Sequence, residues 1–474
     1  MAKILRPGLN NSRVWLILML GIAIRLYQIY PALLESVSNR QIIDAYIVRG
    51  LYERGFGELK LHLFGLPLYH LIVAGLYKLV GLEIEEVGRL LSVAFSLGAA
   101  VFFYKLMQLY GSKRQALLGL IYFYLLSPVH IIMSRSFLVD ELTLFSGIVS
   151  LYFLAKNSLR PRQMWFWLGT LMMAITLLSK FTFGYLLLPA LWWVNPRRGS
   201  SGRWSMMGVF AAMVMIPVIA WSLYTKAANE ALIGGQPTGE WNILYVFSPQ
   251  NLIDPGYWIN VSYFLARYAV TFAWLPLVFL GLVWGYRDKK LTPFYLWLVG
   301  ALGFILAFSV PSRTHNYYFL AFVPAAAFFA ALASDRLKLG GKNTVVTAGL
   351  LIIGLASLVS DDFLKAYRTY PPYQRIPQVG RVVRDLTEAQ DIIVTSAYRT
   401  EAILYFAHRE GWELRLGPLN DEAAIRQLEE WRGQGAKYYV VYDQEELVSK
   451  PLLREYLKTY PTVWAEGPTI IYRL

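Results

Sequence analysis

Long apolar runs recur along most of this chain, and they constrain its fold more than any other feature. They extend from Val14 to about Val359, and several are 18 or more residues long. A helix of that length crosses the roughly 30 Å hydrocarbon core of a bilayer. Only 16% of the 474 residues are charged, against about 25% in soluble domains. The sequence therefore predicts a polytopic α-helical membrane protein.

The net charge of +14 does not indicate a nucleic-acid-binding protein, because of where the charge lies. Residues 361–474 carry 15 Lys+Arg and 17 Asp+Glu, which leaves 30 basic and 14 acidic residues before them. This excess falls in short loops, as in the cytoplasmic loops of membrane proteins, and not on one face of a soluble domain. The chain has no Cys, which excludes disulfides and thiolate sites.

Six short segments carry three basic residues each, and the positive-inside rule places them in the cytoplasm. They are Lys3, Arg6, Arg13; Lys105, Lys113, Arg114; Lys156, Arg160, Arg162; Arg197, Arg198, Arg203; Arg287, Lys289, Lys290; and Arg336, Lys338, Lys342. No small-residue cleavage site follows the first apolar run, so we expect an uncleaved membrane helix there.

Two apolar runs separate each successive pair of basic segments, and a last run leads the chain outside. The runs are 14–34, 90–109, 115–133, 142–156, 164–178, 183–194, 204–224, 266–286, 291–310, 316–334 and 344–360. This alternation predicts about eleven transmembrane helices. The run 64–82 breaks the alternation, and we expect an amphipathic helix at the outer interface.

The last part of the chain has a different character. After a Pro-rich link at 370–373, short β-type runs at 391–396 and 437–442 alternate with helical patterns at 399–409 and 421–432, and 463–474 resembles a closing hairpin. We therefore predict an all-α transmembrane domain, 1–362, with an outer loop at 35–89, and a small extracytoplasmic α/β domain, 363–474.

Candidate site residues lie in the segments predicted to be outside. Asp44 is flanked by isoleucines, and a carboxylate held against apolar surface becomes a usable proton acceptor near neutral pH. The alternative is an interfacial helix with Asp44 on its solvated face. Arg135, Asp140 and Glu141 lie at the junction of two membrane helices. They equally fit catalysis, an Arg135–Asp140 ion pair, or an acidic helix start.

Cations and tyrosines complete the candidates. Lys180 lies in an outer turn between two apolar runs, against the positive-inside bias, although a lysine there can also extend to the headgroups. His315 precedes Tyr317 and Tyr318 at another outer helix start, where tyrosines usually belong to the interfacial belt. Arg25 lies inside the first membrane helix, where a polar residue is a functional candidate by default.

These segments resemble the GT-C class of membrane glycosyltransferases, and within it the protein O-mannosyltransferases and the lipid A aminoarabinose transferases. The similar stretches include IRLYQIYPAL, IIDAYIVRGL, LFGLPLYHLIVAGLYKLVG, SRSFLVDELTLF, LLSKFTFGYLLLPALWW and HNYYFLAFVPAAA. Two departures concern the site: a lone Asp44 replaces an acidic pair, and Lys60 and His62 precede a single Pro67 where relatives have Lys/His-Pro-Pro.

The resemblance implies an inverting transfer of sugar from a polyprenyl-phosphate donor to an outer acceptor: a lipid, a glycan or a protein. Asp44 would be the general base, and Asp140, or less readily Glu141, would orient the acceptor or the cations. Lys180, Arg135, His315 and Tyr317 would face the donor phosphate, with Tyr318, Lys60 and His62 as further substrate-binding residues. No cofactor is expected, and a divalent metal would enter only if Asp44 and Asp140 converge.

Two alternatives belong to other functional classes. A transporter or flippase would place charges or broken helices near the bilayer midplane and would show an internal repeat, and the sequence shows no repeat. A binding or assembly protein would use the α/β tail itself, so the tail alone would bind the ligand.

The topology can be tested by cysteine labelling, because the chain offers a cysteine-free background. Single cysteines at positions 44, 140, 240 and 400 should react with an impermeant thiol reagent in intact cells wherever they are sterically accessible, and those at 113, 200 and 289 only after lysis. The physical reason is the cytoplasmic placement of the basic loops. Labelling of positions 44 and 113 from the same side would contradict the topology.

Overall fold

The structure is a computed structural model that describes residues 12–29, 33–34, 40–55, 65–194, 203–233, 246–339, 371–396 and 401–474, with a few positions between 349 and 369. The chain forms two compact units. The helical unit comprises Met1–Ile29 and Arg54–Leu364. The α/β unit comprises Tyr30–Glu53 and Lys365–Leu474.

Apolar helices make up the described part of the helical unit. Their bounds are Ser12–Leu26, Leu68–Val80, Ile84–Tyr110, Lys113–Leu120, Pro128–Ser134, Asp140–Leu159, Gln163–Ser179, Leu187–Val194, Arg203–Ile233, Pro249–Ile253, Pro255–Phe264, Thr271–Gly285, Thr292–Ala307, Ser309–Ser312 and Val323–Arg336. Each predicted apolar run up to residue 334 overlaps at least one of these helices. The last run, 344–360, lies mostly outside the described residues.

Five helices in the described residues are long and apolar enough to cross a membrane, or up to seven if each of two bent pairs is one span. The five are Ile84–Tyr110, Asp140–Leu159, Ser205–Ala227, Lys289–Ala307 and Asn316–Arg336. Gln163–Ser179 and Phe181–Val194 are apolar but shorter than 18 residues. The predicted all-α membrane architecture is confirmed, and about eleven crossings remains a prediction.

Two of the predicted runs are broken helices. The run 115–133 is interrupted at Ser127, and the helix that restarts at Pro128 is bent by 62° from the preceding one. Proline has no N–H to donate, so it is well tolerated in a first helical turn. The run 266–286 continues a helix from Pro255 and bends by 100° at Val270.

The helix predicted at the interface spans Leu68–Val80. Its 13 residues would extend about 20 Å, which is too short to cross the bilayer core. Tyr69, His70 and Val73 are buried, whereas Leu79 is 81% exposed. The helix thus has one packed and one exposed side, as expected for an interfacial element.

Helix Asp140–Leu159 is the centre of the helical unit and packs against both Gln163–Ser179 and Ile84–Tyr110. Small polar groups join it to the following helix: Ser150 Oγ donates to the Gly169 carbonyl at 2.7 Å, and Ser146 and Thr176 hydroxyls lie 2.9 Å apart. Small residues let membrane helices approach closely, and their hydroxyls bond between helices. These contacts fix the position of Asp140 at the start of the helix.

The basic loops meet at the other end of this unit. Arg114 pairs with Asp335 at 3.2 Å, and Ser112 Oγ donates to the same carboxylate at 2.8 Å. The charges of Lys105 and Lys156 interact there as well. Since Lys156 lies in the last turn of Asp140–Leu159, this end is about 24 Å from Asp140. Asp140 therefore lies at the end opposite these basic loops.

The α/β unit contains a five-stranded sheet in the order β2-β1-β3-β5-β4. Its strands are β1 (Ile392–Thr395), β2 (Glu410–Glu413), β3 (Ala436–Val441), β4 (Thr462–Glu466) and β5 (Thr469–Arg473). β1 is parallel to β2 and β3, whereas β5 is antiparallel to β3 and β4. The predicted strands, helices and closing hairpin are thus confirmed, with helices at Glu401–Ala407 and Asp421–Gly433.

Helix Asp421–Gly433 illustrates how local sequence sets these boundaries. The Asn420 side chain accepts a hydrogen bond from the Ala423 N–H at 2.8 Å, and such a cap satisfies one of the free N–H groups of the first turn. Asp421 and Glu422 follow in that turn, where their negative charges interact favourably with the positive end of the helix dipole. Leu428 anchors the other face in the core.

Candidate functional site

An ion pair between Asp140 and Lys180 forms the centre of the candidate site. The Lys180 ammonium donates to both carboxylate oxygens of Asp140, at 2.8 and 2.9 Å. The Asp140 side chain is 8% exposed and that of Lys180 is 28% exposed. The ammonium therefore has one fixed partner, and the Lys180 side chain remains partly exposed.

Lys180 owes its position to the end of the helix that precedes it. Gln163–Ser179 stops at Lys180, whose backbone is extended, and a tight 3-10 segment, Phe181–Leu186, follows directly. The Leu66 N–H donates to the Leu178 carbonyl at 2.6 Å, which satisfies one of the carbonyls left free at a helix end. A Cβ at Gly65 would lie 2.1 Å from the Ser179 carbonyl oxygen, so only glycine permits this approach.

Aromatic side chains surround the exposed side of the ion pair. A cleft beside Asp140 and Lys180 is lined by Tyr185, Phe304, Tyr317 and Tyr318, together with Thr182 and several apolar residues. The Tyr317 and Tyr318 rings are stacked with centroids 4.6 Å apart, and Lys180 Nζ lies 5.8 Å from the Tyr317 centroid. The structure thus brings together four predicted site residues: Asp140, Lys180, Tyr317 and Tyr318.

Two hydroxyls near this cleft have no hydrogen-bond partner among the described residues. They are the buried hydroxyls of Tyr185, in the cleft lining, and of Ser179, next to Lys180. A buried hydroxyl without a partner costs about 1–3 kcal/mol. Together with the Lys180 ammonium, these donors suit a ligand with several acceptor oxygens.

His315 lies beside this group but is exposed. Its Nδ1 is 2.8 Å from the Thr314 hydroxyl and 3.0 Å from the Pro311 carbonyl, and its ring is 5.3 Å from that of Tyr317. Its neighbour Arg313 pairs with Asp254 at 2.7 Å, which ties this turn to the helix starting at Pro255.

Arg135 is not paired with Asp140, so the sequence alternative of an Arg135–Asp140 ion pair is wrong. Its guanidinium donates to the carbonyls of Tyr27 and Gln28, at 2.8 and 2.6 Å, just after the end of helix Ser12–Leu26. Gln28 has a positive φ of 47°, the left-handed conformation common after helix ends. A cation at the negative end of a helix dipole is stabilising, so Arg135 holds the end of the first helix.

Glu141 points away from the ion pair, although it follows Asp140 directly. It is fully buried, and its carboxylate lies 3.5 Å from His130 Nε2. Successive helical residues point about 100° apart, which is why one acidic residue reaches the cleft and the next does not.

Asp44 belongs to the α/β unit and lies on helix Arg40–Arg54. It is 1% exposed and lies 3.7 Å from Arg40 Nε, so the alternative of a solvated face is wrong. Tyr46 on the same helix donates to Glu410 Oε2 at 2.7 Å, and the Arg49 guanidinium lies 4.0 Å from the centroid of the Tyr405 ring. The helix that carries Asp44 is therefore held by the C-terminal segment.

The pKa of His408, which lies close to Arg49, is lowered by the same packing. Burial, followed by the charge of Arg49, lowers the pKa of His408 to about 4. His408 is therefore neutral near neutral pH, and no additional positive charge arises beside Arg49.

Lys60 and His62 lie outside the described residues, so their predicted substrate contacts stay predictions. Among the residues that are described, no group of three or more His, Asp or Glu side chains is arranged to hold a metal ion. Sequence reasoning missed Tyr185 and Phe304, which the cleft contains. Both lie within apolar helical stretches, and nothing in their local sequence distinguishes them from packing residues.

The Asp140–Lys180 pair should contribute measurably to stability. In a double-mutant cycle with Asp140→Asn and Lys180→Met, the two losses of thermal stability in detergent should be coupled by about 0.5–3 kcal/mol, because the residues are in contact. The control cycle uses Glu429 and Arg432, a more exposed pair with an N–O distance of 2.7 Å, whose coupling should be below about 1 kcal/mol. Additive losses at Asp140 and Lys180 would contradict the pairing.

Known proteins resemble this chain in part of its sequence and in nearly all of its fold. Residues 66–221 match the family model described as dolichyl-phosphate-mannose-protein mannosyltransferase. The structure of ArnT from Cupriavidus metallidurans bound to undecaprenyl phosphate matches with a TM-score of 0.66 at 13% identity, with 98% of each chain covered.

A second solved structure extends the likeness. The archaeal oligosaccharyltransferase AglB from Archaeoglobus fulgidus, in complex with an inhibitory peptide and a dolichol-phosphate, gives a TM-score of 0.60 at 12% identity, covering 97% of this chain and 74% of AglB. No curated protein sequence matches the chain significantly. The resemblance inferred from the sequence is confirmed, and the chain has the fold of the GT-C membrane glycosyltransferases.

Proposed function

We propose that this protein transfers a sugar from a polyprenyl-phosphate donor to an acceptor hydroxyl or amine on the extracytoplasmic side of the cell membrane. The observation that carries the proposal is the partly exposed Lys180 side chain, whose ammonium is held by Asp140 and which lines an aromatic-lined cleft. This site suits a phosphate joined to a sugar. The ArnT structure holds undecaprenyl phosphate and the AglB structure holds a dolichol-phosphate, which supports the donor class.

The donor phosphate would bind to Lys180. Asp140 restricts the flexible lysine side chain to one geometry, so less entropy is lost when the phosphate arrives. The hydroxyls of Tyr185 and Ser179, which have no hydrogen-bond partner in the part of the chain that the structure describes, supply further donors. Charge grows on the phosphate as the glycosidic bond breaks, and fixed donors stabilise that charge most strongly in the transition state.

The sugar would lie against the aromatic rings. Tyr317 and Tyr318 are stacked on one another, and Tyr318 also stacks on Phe304. These rings leave apolar faces and hydroxyl edges around the cleft, which matches the mixed surface of a sugar ring. His315, exposed beside Tyr317, would contact the donor or acceptor from the rim.

The transfer would be a single displacement with inversion. The acceptor oxygen or nitrogen attacks the anomeric carbon, the bond from that carbon to the phosphate oxygen breaks, and its electron pair leaves with the polyprenyl phosphate. Asp44 takes the acceptor proton, as a general base must. One phosphate facing protein cations needs no divalent metal for neutralisation.

The first test is transfer by purified full-length protein in lipid, with a panel of radiolabelled polyprenyl-phosphate sugars. One donor should be consumed, and Asp44→Asn should lower turnover by about 10²–10⁴-fold while donor binding persists, because Asn cannot accept the proton. Glu53→Gln is the matched control, since Glu53 is exposed on the same helix. Consumption of no donor by the parent would reject the proposed function, and near-parental turnover of Asp44→Asn would reject the assigned base.

The second test concerns metal ions. Transfer should survive exhaustive treatment with EDTA, because the leaving phosphate faces Lys180 and neutral donors. Complete loss of turnover that magnesium or manganese restores would show that a divalent ion participates, and the acidic residues would then be assigned as its ligands.

A further inference from the structure

A group of polar residues is completely buried behind the candidate site. Arg25, His130 and Glu141 are each 0% exposed, and they come from three helices: Ser12–Leu26, Pro128–Ser134 and Asp140–Leu159. Buried ionisable groups in an apolar unit are costly unless they are paired. The proposed transfer assigns no role to Arg25 or His130, so the burial of these ionisable side chains has to be explained by their contacts with one another.

The hydrogen bond at one side of His130 fixes its tautomer. Nδ1 lies 2.9 Å from the Phe123 carbonyl oxygen. Arg25 Nη2 lies farther from the same nitrogen, at 3.5 Å. A carbonyl only accepts, so the shorter contact assigns the proton to Nδ1. Stacking on the Phe123 ring, with centroids 4.2 Å apart, holds the imidazole in this orientation.

The other side of His130 faces an acceptor. Nε2 lies 3.5 Å from Glu141 Oε2, and neither Nε2 nor either Glu141 oxygen has a hydrogen-bond partner among the described residues. In a neutral imidazole with Nδ1 protonated, Nε2 is itself an acceptor. Two buried acceptors face each other, and a single proton between them would turn this contact into a hydrogen bond.

Arg25 closes the group from the other side without supplying that proton. Its guanidinium donates to the Gly21 and Tyr124 carbonyls, each at 3.0 Å, and to Ser134 Oγ at 2.5 Å. It also lies 3.9 Å from the centroid of the Tyr124 ring. Arg25 thereby joins the first helix to Pro128–Ser134, and His130 joins that helix to Glu141.

We propose that Glu141 is a positioning residue that shares one proton with His130 and so holds the segment 135–140 in place. Helix Pro128–Ser134 precedes this segment and Glu141 follows it, so the pair closes the segment at both ends. The segment carries Asp140, which orients Lys180. The inference rests on the proposed function, and it separates Glu141 from the catalytic role that the sequence suggested.

Glutamine at position 141 distinguishes positioning from catalysis. Its amide N–H can donate to Nε2 of a neutral imidazole, so Glu141→Gln keeps the link without the extra proton. Leucine at this position leaves Nε2 buried without a partner. If the Glu141 carboxylate accepted a proton from substrate or bound a cation, both variants would lose turnover equally, because neither carries a carboxylate.

The experiment measures kcat, and KM for the donor, per mole of folded full-length protein. Glu141→Gln should stay within about threefold of the parent, whereas Glu141→Leu should lower kcat/KM by about tenfold or more because Asp140 and Lys180 lose their alignment. Asp140→Asn is the matched control on the neighbouring residue, and it should lower kcat/KM even though it conserves shape. If Glu141→Leu does not accumulate, His130→Leu replaces it, since it removes the same link.

Loss of turnover in Glu141→Gln equal to that in Glu141→Leu would overturn the inference and assign the carboxylate to chemistry. Parental kinetics in Glu141→Leu would overturn it as well. If the parent transfers no sugar, the proposed function fails separately, and thermal stability then tests the pair: Glu141→Gln should unfold near the parental temperature and Glu141→Leu well below it. Equal stability of the two variants would overturn the shared-proton link.

Discussion

The bidentate contact between Lys180 and Asp140 is the interaction on which the candidate site depends. It joins the end of one membrane helix to the start of another, at distances of 2.8 and 2.9 Å. Breaking a largely buried pair leaves an uncompensated charge and is more costly than replacing both partners. The helices are aligned for this contact by Ser146 with Thr176 and by Ser150 with Gly169.

Two adjacent acidic residues thus meet different environments. Asp140 faces a cleft that Lys180 also lines, whereas Glu141 faces a buried imidazole. The rotation of about 100° between helical neighbours is sufficient to separate them. An acidic pair at a helix start is therefore not one functional unit, and each carboxylate has to be judged by what it contacts.

The candidate base, Asp44, is part of the α/β unit. Helix Arg40–Arg54, which carries Asp44, clusters with the C-terminal residues, and Tyr46 and Arg49 bind side chains and backbone of that segment. The position of Asp44 thus depends on residues more than 350 positions later in the chain. The C-terminal segment carries no recognisable catalytic motif, and its structural role here is to hold the helix that carries Asp44.

The sequence by itself determined the apolar helices, strands β1 and β3, the closing hairpin and the ends at which polar residues gather, because apolar run length and strand alternation are local properties. It indicated Asp140, Lys180, Tyr317 and Tyr318 one by one, and the basic loops predicted a common end. Only the tertiary structure decided the partners: Lys180 for Asp140, His130 for Glu141, and the first helix end for Arg135. Those contacts depend on how each helix is rotated and where it bends, as at Val270. Rotation and bending are set by packing between distant segments, and no local pattern encodes them.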